Sequence, residues 1–425
     1  MRVRDLTADD YVPYRTMTSG AFGGVMEDTG PRPFDPGQTP IGIDSAELPG
    51  GVEGVLAAGA RIRHDRITLG GGVARCGGVG GLAVHPAHRG GGVFRQLLTG
   101  VIARCAAEGM AASMLYPSNP SIYRRFGYQV VARVERLVVP LVDLQRLPPV
   151  TGRRLVPVTA ATLPRLHALY RELTAEDNAM LLREGPLFEQ GMPGQGWSAL
   201  LLEDESGADH GYLSWSRVSG AGPGLEVHEI LGRTRDDRLA LLRSLGSWST
   251  VLEEVTLRLR TEDPVLEALP GGGARPAPGP VPLVMMRVID TAAMLRARHA
   301  PDTLRGTIRL EVADGTVPSG TCAAAGRWRV TAADGSITVE PEDGEAADGH
   351  AGGGDGDPDG DGDGDGAGTL GTVHLDVHAA SLLLVGGRTL ADARRQGLGA
   401  TAAPRAAAFL DALLAGPRPS VMDAF

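Results

Sequence analysis

The sequence predicts a mixed α/β (α+β) chain: two successive α/β units of similar plan, then a smaller α+β unit. Three observations carry this. Residues 80–128 read as strand, glycine-rich turn, amphipathic helix, second strand and aromatic-rich loop. Residues 149–288 repeat the plan of helix, strands and strand-to-helix turn, without the glycines. Residues 292–425 alternate apolar and polar positions as half-buried strands do, and close with two helices. With 425 residues there is room for two to four domains, and the expected boundaries are 1–146, 147–290 and 291–425.

In the first unit, Val3 to Thr7 reads as a short strand and Ala8 to Arg15 as a helix with acidic residues near its start. Val55 to Arg61 and Ile67 to Arg75 suggest paired strands joined through a charged turn at His64-Asp65-Arg66. Gly80 to Val84 leads into Gly90, Gly91 and Gly92. Glycines there admit close approach and left-handed backbone angles, and free N–H groups at a helix N-terminus form an anion site. In the following helix Val93, Phe94, Leu97, Leu98, Val101, Ile102 and Cys105 recur at spacings of one, three and four, so one stripe packs on a sheet. Val130 to Val142 is expected to close this unit with two β-rich stretches.

The second unit has a helix near Ala161 to Thr174 and strands at Ser198 to Leu202, Gly211 to Arg217 and Leu225 to Leu231. The last leads through Arg233-Thr-Arg-Asp-Asp237 into a helix ending near Trp248. Without a glycine run, that turn cannot bring backbone donors close to a pyrophosphate. Pro270 to Pro282 is a loop before the strand Val284 to Ile289. In the third unit, strands are expected at Thr307 to Val312, Arg327 to Thr331, Ser336 to Glu340 and Val373 to Val377. Helices follow near Thr389 to Arg395 and Arg405 to Leu414. Asp355-x-Asp357-x-Asp359-Gly360 mimics the start of a calcium loop, but its twelfth position is Gly366 rather than Glu. The Asp/Gly-rich run of 343–369 is therefore expected to be a disordered, solvated loop with no metal site.

Every basic residue is arginine, and the net charge of −10 argues against a nucleic-acid partner while suiting a cationic substrate. Cys76, Cys105 and Cys322 are scattered and form no disulfide framework. The N-terminus lacks the apolar core of a signal peptide and no run approaches membrane length. The expectation is a soluble, cytoplasmic protein with no membrane partner.

Two familiar phosphate motifs are excluded. The glycine turn has no Gly-Lys-Ser/Thr ending, and no acidic residue follows at dinucleotide-fold spacing. What remains, Arg89-Gly-Gly-Gly92-Val-Phe94, resembles the R/Q-x-x-G-x-G/A pyrophosphate loop of the GNAT N-acetyltransferases, with Phe94 where most members carry Gly or Ala. One strand further on, Ser118-Asn-Pro-Ser-Ile-Tyr123-Arg-Arg-Phe126-Gly-Tyr128 resembles the "IYxRFGY" signature of the enhanced intracellular survival (Eis) branch, whose chains also end in an aromatic residue, here Phe425. The motifs cover the first third of the chain and its last residue; the middle matches in layout only. The resemblance implies tandem GNAT folds, the second degenerate, and a third domain similar to sterol carrier proteins. It also implies acetyl-CoA as cosubstrate with no metal, a homohexamer, and acetylation of an amine on a cationic small-molecule acceptor. Aminoglycosides, other polyamines or lysine side chains fit that description.

Acetyl transfer to an amine needs a bound thioester, a way to deprotonate the nucleophile and a proton for the departing thiolate. Leu82, Ala83 and Val84 can offer backbone groups to the pantetheine amides as an added strand, and one N–H can stabilise the oxyanion. Arg89, Gly90, Gly91, Gly92, Val93, Phe94 and Arg95 would take the pyrophosphate, with Arg95 as charge partner. By the resemblance, Ser118 and Asn119 complete the groove. A phenol of pKa about 10 can donate a proton to a thiolate. The residues alone do not choose among Tyr116, Tyr123 and Tyr128, and the family pattern selects Tyr123 as general acid. It likewise assigns the base to the C-terminal carboxylate of Phe425. Asp423 and Glu27 are lesser candidates for substrate contacts, and His85 and His88 are turn or surface residues. The competing reading is a non-catalytic acyl-CoA or lipid-binding protein, indifferent to Tyr123→Phe.

Overall fold

The computed structural model describes residues 1–23, 30–188, 192–194, 196–218, 224–342 and 368–423. Glu27, Phe425 and the Asp/Gly run through residue 367 lie outside the described residues. The first unit contains β1 (Arg4–Asp5), α1 (Tyr11–Phe22), β2 (Gln38–Asp44), β3 (Leu56–Leu69), β4 (Gly72–Val84), α2 (Val93–Ala107), β5 (Ala112–Leu115), α3 (Pro120–Arg124) and β6 (Gln129–Arg133). The apolar stripe of α2 behaves as its spacing demands, with Val93, Leu97, Leu98, Val101, Ile102 and Cys105 all buried. The charged turn expected at His64-Asp65-Arg66 is absent. β3 runs straight through it, and the chain reverses at Gly70-Gly71, whose φ values of +54° and +78° make a two-residue mirror-image turn. His64 and Arg66 face solvent, while Asp65 is buried and accepts from Arg63 at 3.0 Å.

The second unit contains β7 (Glu135–Pro140), α4 (Leu141–Gln145), β8 (Arg153–Pro157), α5 (Leu163–Leu173), β9 (Trp197–Asp204), β10 (Asp209–Val218), β11 (Gly224–Gly232), α6 (Arg235–Leu245), β12 (Glu254–Leu259), β13 (Arg275–Pro276) and β14 (Leu283–Val288). The strand orders are β1-β2-β3-β4-β5-β14-β6 in one sheet and β13-β7-β12-β11-β10-β9-β8 in the other. The two units thus exchange strands. β14 inserts antiparallel between β5 and β6, and β7, expected to close the first unit, lies antiparallel to β12 and β13. A single residue, Val134, separates β6 from β7, too short a link for a hairpin, so the chain passes from one sheet directly into the other.

The third unit contains α7 (Thr291–Arg296), β15 (Gly306–Ala313), β16 (Gly326–Ala333), β17 (Ser336–Pro341), β18 (Thr372–Asp376), α8 (Val377–Leu383), α9 (Leu390–Arg395), β19 (Ala400–Ala402) and α10 (Pro404–Leu413), around a sheet of order β17-β16-β15-β18-β19. Sequence reading missed α8. Asp376 starts it by accepting from the Ala379 N–H at 2.7 Å. Every α8 residue but His378 is buried, and the helix packs on β14 and β6. One core therefore runs from the first sheet into the third unit, while the opposite face of that sheet packs on α2. Among the described residues, no helix is long and apolar enough to cross a membrane.

Candidate active site

β4 pairs in parallel with β5 only over Cys76–Val79. β5 then ends, while β4 runs on to Val84 and keeps its pairing with β3. Among the described residues, Gly80 to Val84 has no strand on its second edge, and a slot lined by Gly80, Gly81, Leu82, Leu115 and Tyr116 opens there. An extended amide-bearing ligand can add there as a strand. Within this stretch the ladder shifts: Gly80 faces Arg61 and Ala83 faces Gly59, so Gly81 and Leu82 share one partner position in a bulge, with Gly81 at φ +58°. The Tyr14 hydroxyl donates to the Gly81 carbonyl at 2.9 Å. A Cβ on Gly81 would lie 2.1 Å from that hydroxyl oxygen, so only glycine fits.

The glycine turn opens α2 toward the same slot. Gly90 and Gly92 have φ values of +85° and +81°, and a Cβ on either would meet nothing within 4 Å. Gly92 is the left-handed N-cap, with no side-chain cap and no acidic residue in the first turn. The first-turn N–H groups, at Val93, Phe94 and Arg95, thus have no helical acceptor. The corresponding turn of the second unit is closed. Thr234 caps α6 by accepting from the Asp237 N–H at 3.1 Å, and Asp237 accepts from the Thr234 N–H at 3.0 Å and from Arg153 at 2.6 Å. The protein's own side chains cap that helix start.

A groove of about 530 Å³ gathers Leu82, Ala83, Val84, His88, Arg89, Gly90, Gly92, Phe94, Ser118 and Tyr123. Four other expected cofactor residues stand differently. Val93 is buried with its side chain in the core and offers only its backbone. Gly91 belongs to the turn without lining the groove, and the exposed Arg95 lays its guanidinium 5.5 Å over the Phe126 ring. Asn119 caps α3, its side-chain oxygen accepting from the Ser121 N–H at 3.0 Å, so it holds the helix that carries Tyr123. His85 and His88 have structural partners, the Ala87 N–H and the Ser45 hydroxyl.

A second cavity of about 320 Å³, lined in part by Tyr14, Arg15, Arg61 and Tyr116, shares Phe22, Leu82, Ser118 and Tyr123 with the groove. Tyr123 is therefore at the junction. Burial pushes its phenol above the ordinary value, with a hydrogen bond to Ser118 opposing, so the hydroxyl is protonated at neutral pH. The other tyrosines separate on geometry. Tyr128 is fully buried and bonded to the Ser113 hydroxyl at 2.8 Å, whereas Tyr116 donates to the Asp423 carbonyl at 2.8 Å. Phe94, the departure from the glycine-loop pattern, sets its ring edge to face at 5.8 Å from Tyr123 and 5.9 Å from Phe126. Gly127, at φ +80°, is needed for a different reason: its Cβ would lie 2.0 Å from the buried Arg287 guanidinium, which donates to the Phe126 carbonyl and to Asp314. β14 of the second unit thus fixes the aromatic loop of the first.

Residues 417–423 thread between the units. Asn178 donates to the Pro417 carbonyl at 2.7 Å, the Thr261 N–H to the Ser420 hydroxyl at 3.0 Å and Arg258 to the Met422 carbonyl at 2.9 Å. Asp423, expected as a substrate contact, is instead held by Arg183 at 3.0 Å. Arg183 also pairs with Glu229, whose carboxylate accepts from Tyr212 at 2.8 Å. Sequence reading missed this network because four distant segments assemble it. It missed Tyr14, Arg15 and Arg61 for the same reason.

With this geometry in view, the class of protein follows. Residues 2–131 match the model of the acetyltransferase (GNAT) domain. The chain carries a GNAT acetyltransferase domain and is an acyl-CoA-dependent N-acetyltransferase. No curated protein sequence matches it. Among solved structures it is similar to a GCN5-related N-acetyltransferase from Kribbella flavida (23% identity, 100% of this chain and 98% of that one, TM-score 0.76). It is also similar to a GCN5-related N-acetyltransferase from Anabaena variabilis (17%, 100% of both chains, TM-score 0.79) and to Eis1 from Mycobacterium abscessus (19%, 100% of both chains, TM-score 0.70). At these identities the likeness is one of fold.

Proposed function

We propose that this protein transfers acetyl from acetyl-CoA to the amine of a small-molecule acceptor by direct attack on the thioester, in the manner of the Eis branch. The observation that carries the reading is the meeting of the β4–β5 slot, the open N-terminus of α2 and the protonated Tyr123 at one junction. Pyrophosphate would bind the N–H groups following Gly92, and pantetheine would pair along Leu82 to Val84. The acceptor would enter through the cavity shared with Tyr116. Its nitrogen attacks the carbonyl carbon, an N–H at the bulge steadies the oxyanion, the C–S bond breaks, and Tyr123 gives its proton to the thiolate. The ammonium proton goes to a base, a role we assign to the carboxylate of Phe425. The anchoring of the Asp423 carbonyl by Tyr116, which lines the acceptor cavity, supports this.

The third unit, a five-stranded sheet with helices, is proposed to be the sterol-carrier-like domain and the assembly a homohexamer. The aminoglycoside or polyamine expected from sequence is less well supported. Among the described residues the acceptor cavity carries Arg15 and Arg61 and no carboxylate.

Free-thiol release from acetyl-CoA with a panel of amines tests the reading. Acceptor-dependent turnover is expected, reduced about a hundredfold in Tyr123→Phe with the acetyl-CoA KM little changed. CoA binding with no thiol release on any amine would overturn it in favour of a non-catalytic acyl-CoA or lipid-binding protein.

A further inference from the structure

Arg15 on α1 and Arg61 on β3 reach the same cavity from different elements, and neither lines the cofactor groove. Both are only partly exposed, yet neither has a carboxylate partner among the described residues, and the Arg61 Nε is buried with no hydrogen-bond acceptor. Arg238, Arg298 and Arg388 also lack a carboxylate partner among the described residues, but those three do not share a cavity, whereas several other arginines are paired. Arg4 holds Asp10 and Asp44, Arg153 holds Asp237, Arg183 holds Glu229 and Asp423, and Arg260 holds Asp177 and Asp263. Desolvating a guanidinium without an anion is costly, and two facing one cavity also repel each other. Both charges act on the buried phenol of Tyr14 in the same cavity wall, Arg61 through a hydrogen bond as well. A planar carboxylate relieves both costs at once, because guanidinium forks match it geometrically. A cavity of about 320 Å³ suits a small molecule.

We propose that the acceptor is an amino acid or a similarly small amino-carboxylate, its carboxylate held by Arg15 and Arg61 and its amine directed to the Tyr123 end of the cavity. This rests on the acetyl-transfer reading above and replaces its cationic acceptor with one of mixed charge. It gives the two arginines a positioning role, separate from the proton transfers.

The test uses the full chain and two measurements. Thiol release is compared for ω-amino acids of graded length, alkylamines of matching length, and spermidine. The amino acid of best length should exceed its matching alkylamine and spermidine by about tenfold or more in kcat/KM. Arg61→Gln and Arg15→Gln should each erase most of that advantage through the acceptor KM, leaving the acetyl-CoA KM unchanged. Equal or better use of alkylamines or spermidine overturns the proposal while leaving acetyl transfer intact, as does an advantage that survives both variants. Should no amine turn over, calorimetry on the CoA-saturated protein still decides. Acetamido acids of graded length should bind more tightly than the matching N-alkylacetamides, and lose that margin in the two variants. Equal binding of the two series, or no binding of either, overturns the proposal.

Discussion

Tyr123 combines two properties that a proton donor to a thiolate needs, access and retention of its proton. The first comes from its place where groove and cavity meet, the second from burial, which raises the phenol above its ordinary value of about 10. The sign of the pH dependence follows. A donor must be protonated to act, and a raised pKa moves its loss to higher pH. Turnover should therefore rise with pH as the amine loses its proton, with no fall from Tyr123 between about pH 7 and 9.5. A kcat profile falling within that window, and flattened by Tyr123→Phe, would show the phenol ionising too early for this role. The residues alone did not single out Tyr123 from Tyr116 and Tyr128; the motif did, and hydrogen bonding now separates all three. Arg15 and Arg61 were not legible at all, because whether an arginine has a partner depends on segments remote in sequence.

Between elements, the contrast of α2 with α6 shows how one strand-turn-helix plan can be open or closed to an anion. Glycine leaves the α2 N-terminus bare, and the Thr234–Asp237 cap fills that of α6. The three glycines of the turn are not equivalent. Gly92 needs a left-handed backbone, which costs an L-residue about 1–2 kcal/mol. Gly91 does not, and a Cβ there would find only the His88 carbonyl oxygen, at 3.9 Å. Gly92→Ala should lower stability by about 1–2 kcal/mol and raise the acetyl-CoA KM, while Gly91→Ala should stay within about 0.5 kcal/mol of the parent. Thermal melts with acetyl-CoA titrations check this, and equal effects at the two positions would remove the special role of Gly92. This element was readable in advance because glycine spacing and an apolar stripe are local signals. The β3–β4 reversal was not: the charged triplet resembled a turn, and the true turn at Gly70-Gly71 was hidden in a longer glycine-rich stretch.

Across the whole molecule, the strand exchange makes the first sheet depend on chain that comes far later. Residues 2–131, the part that matches the acetyltransferase domain, leave out an internal strand of their own sheet, because β14 lies between β5 and β6. Local pattern announced Val284 to Ile289 as a strand but could not say in which sheet, since pairing is a long-range choice. A fragment of residues 1–146 would leave one edge of β5 unpaired, β6 with no partner strand and β7 with no sheet. It would also bare Ile67, Leu69, Met114 and Val131, which the third unit helps to bury. An open edge beside a bared apolar face favours aggregation over folding. That fragment should therefore be insoluble, or soluble without a cooperative melt and without CoA binding. The full chain should unfold its first two units in one calorimetric transition, because neither sheet can close alone. A soluble fragment of 1–146 that melts cooperatively and binds CoA would show that the first unit can complete its sheet without β14.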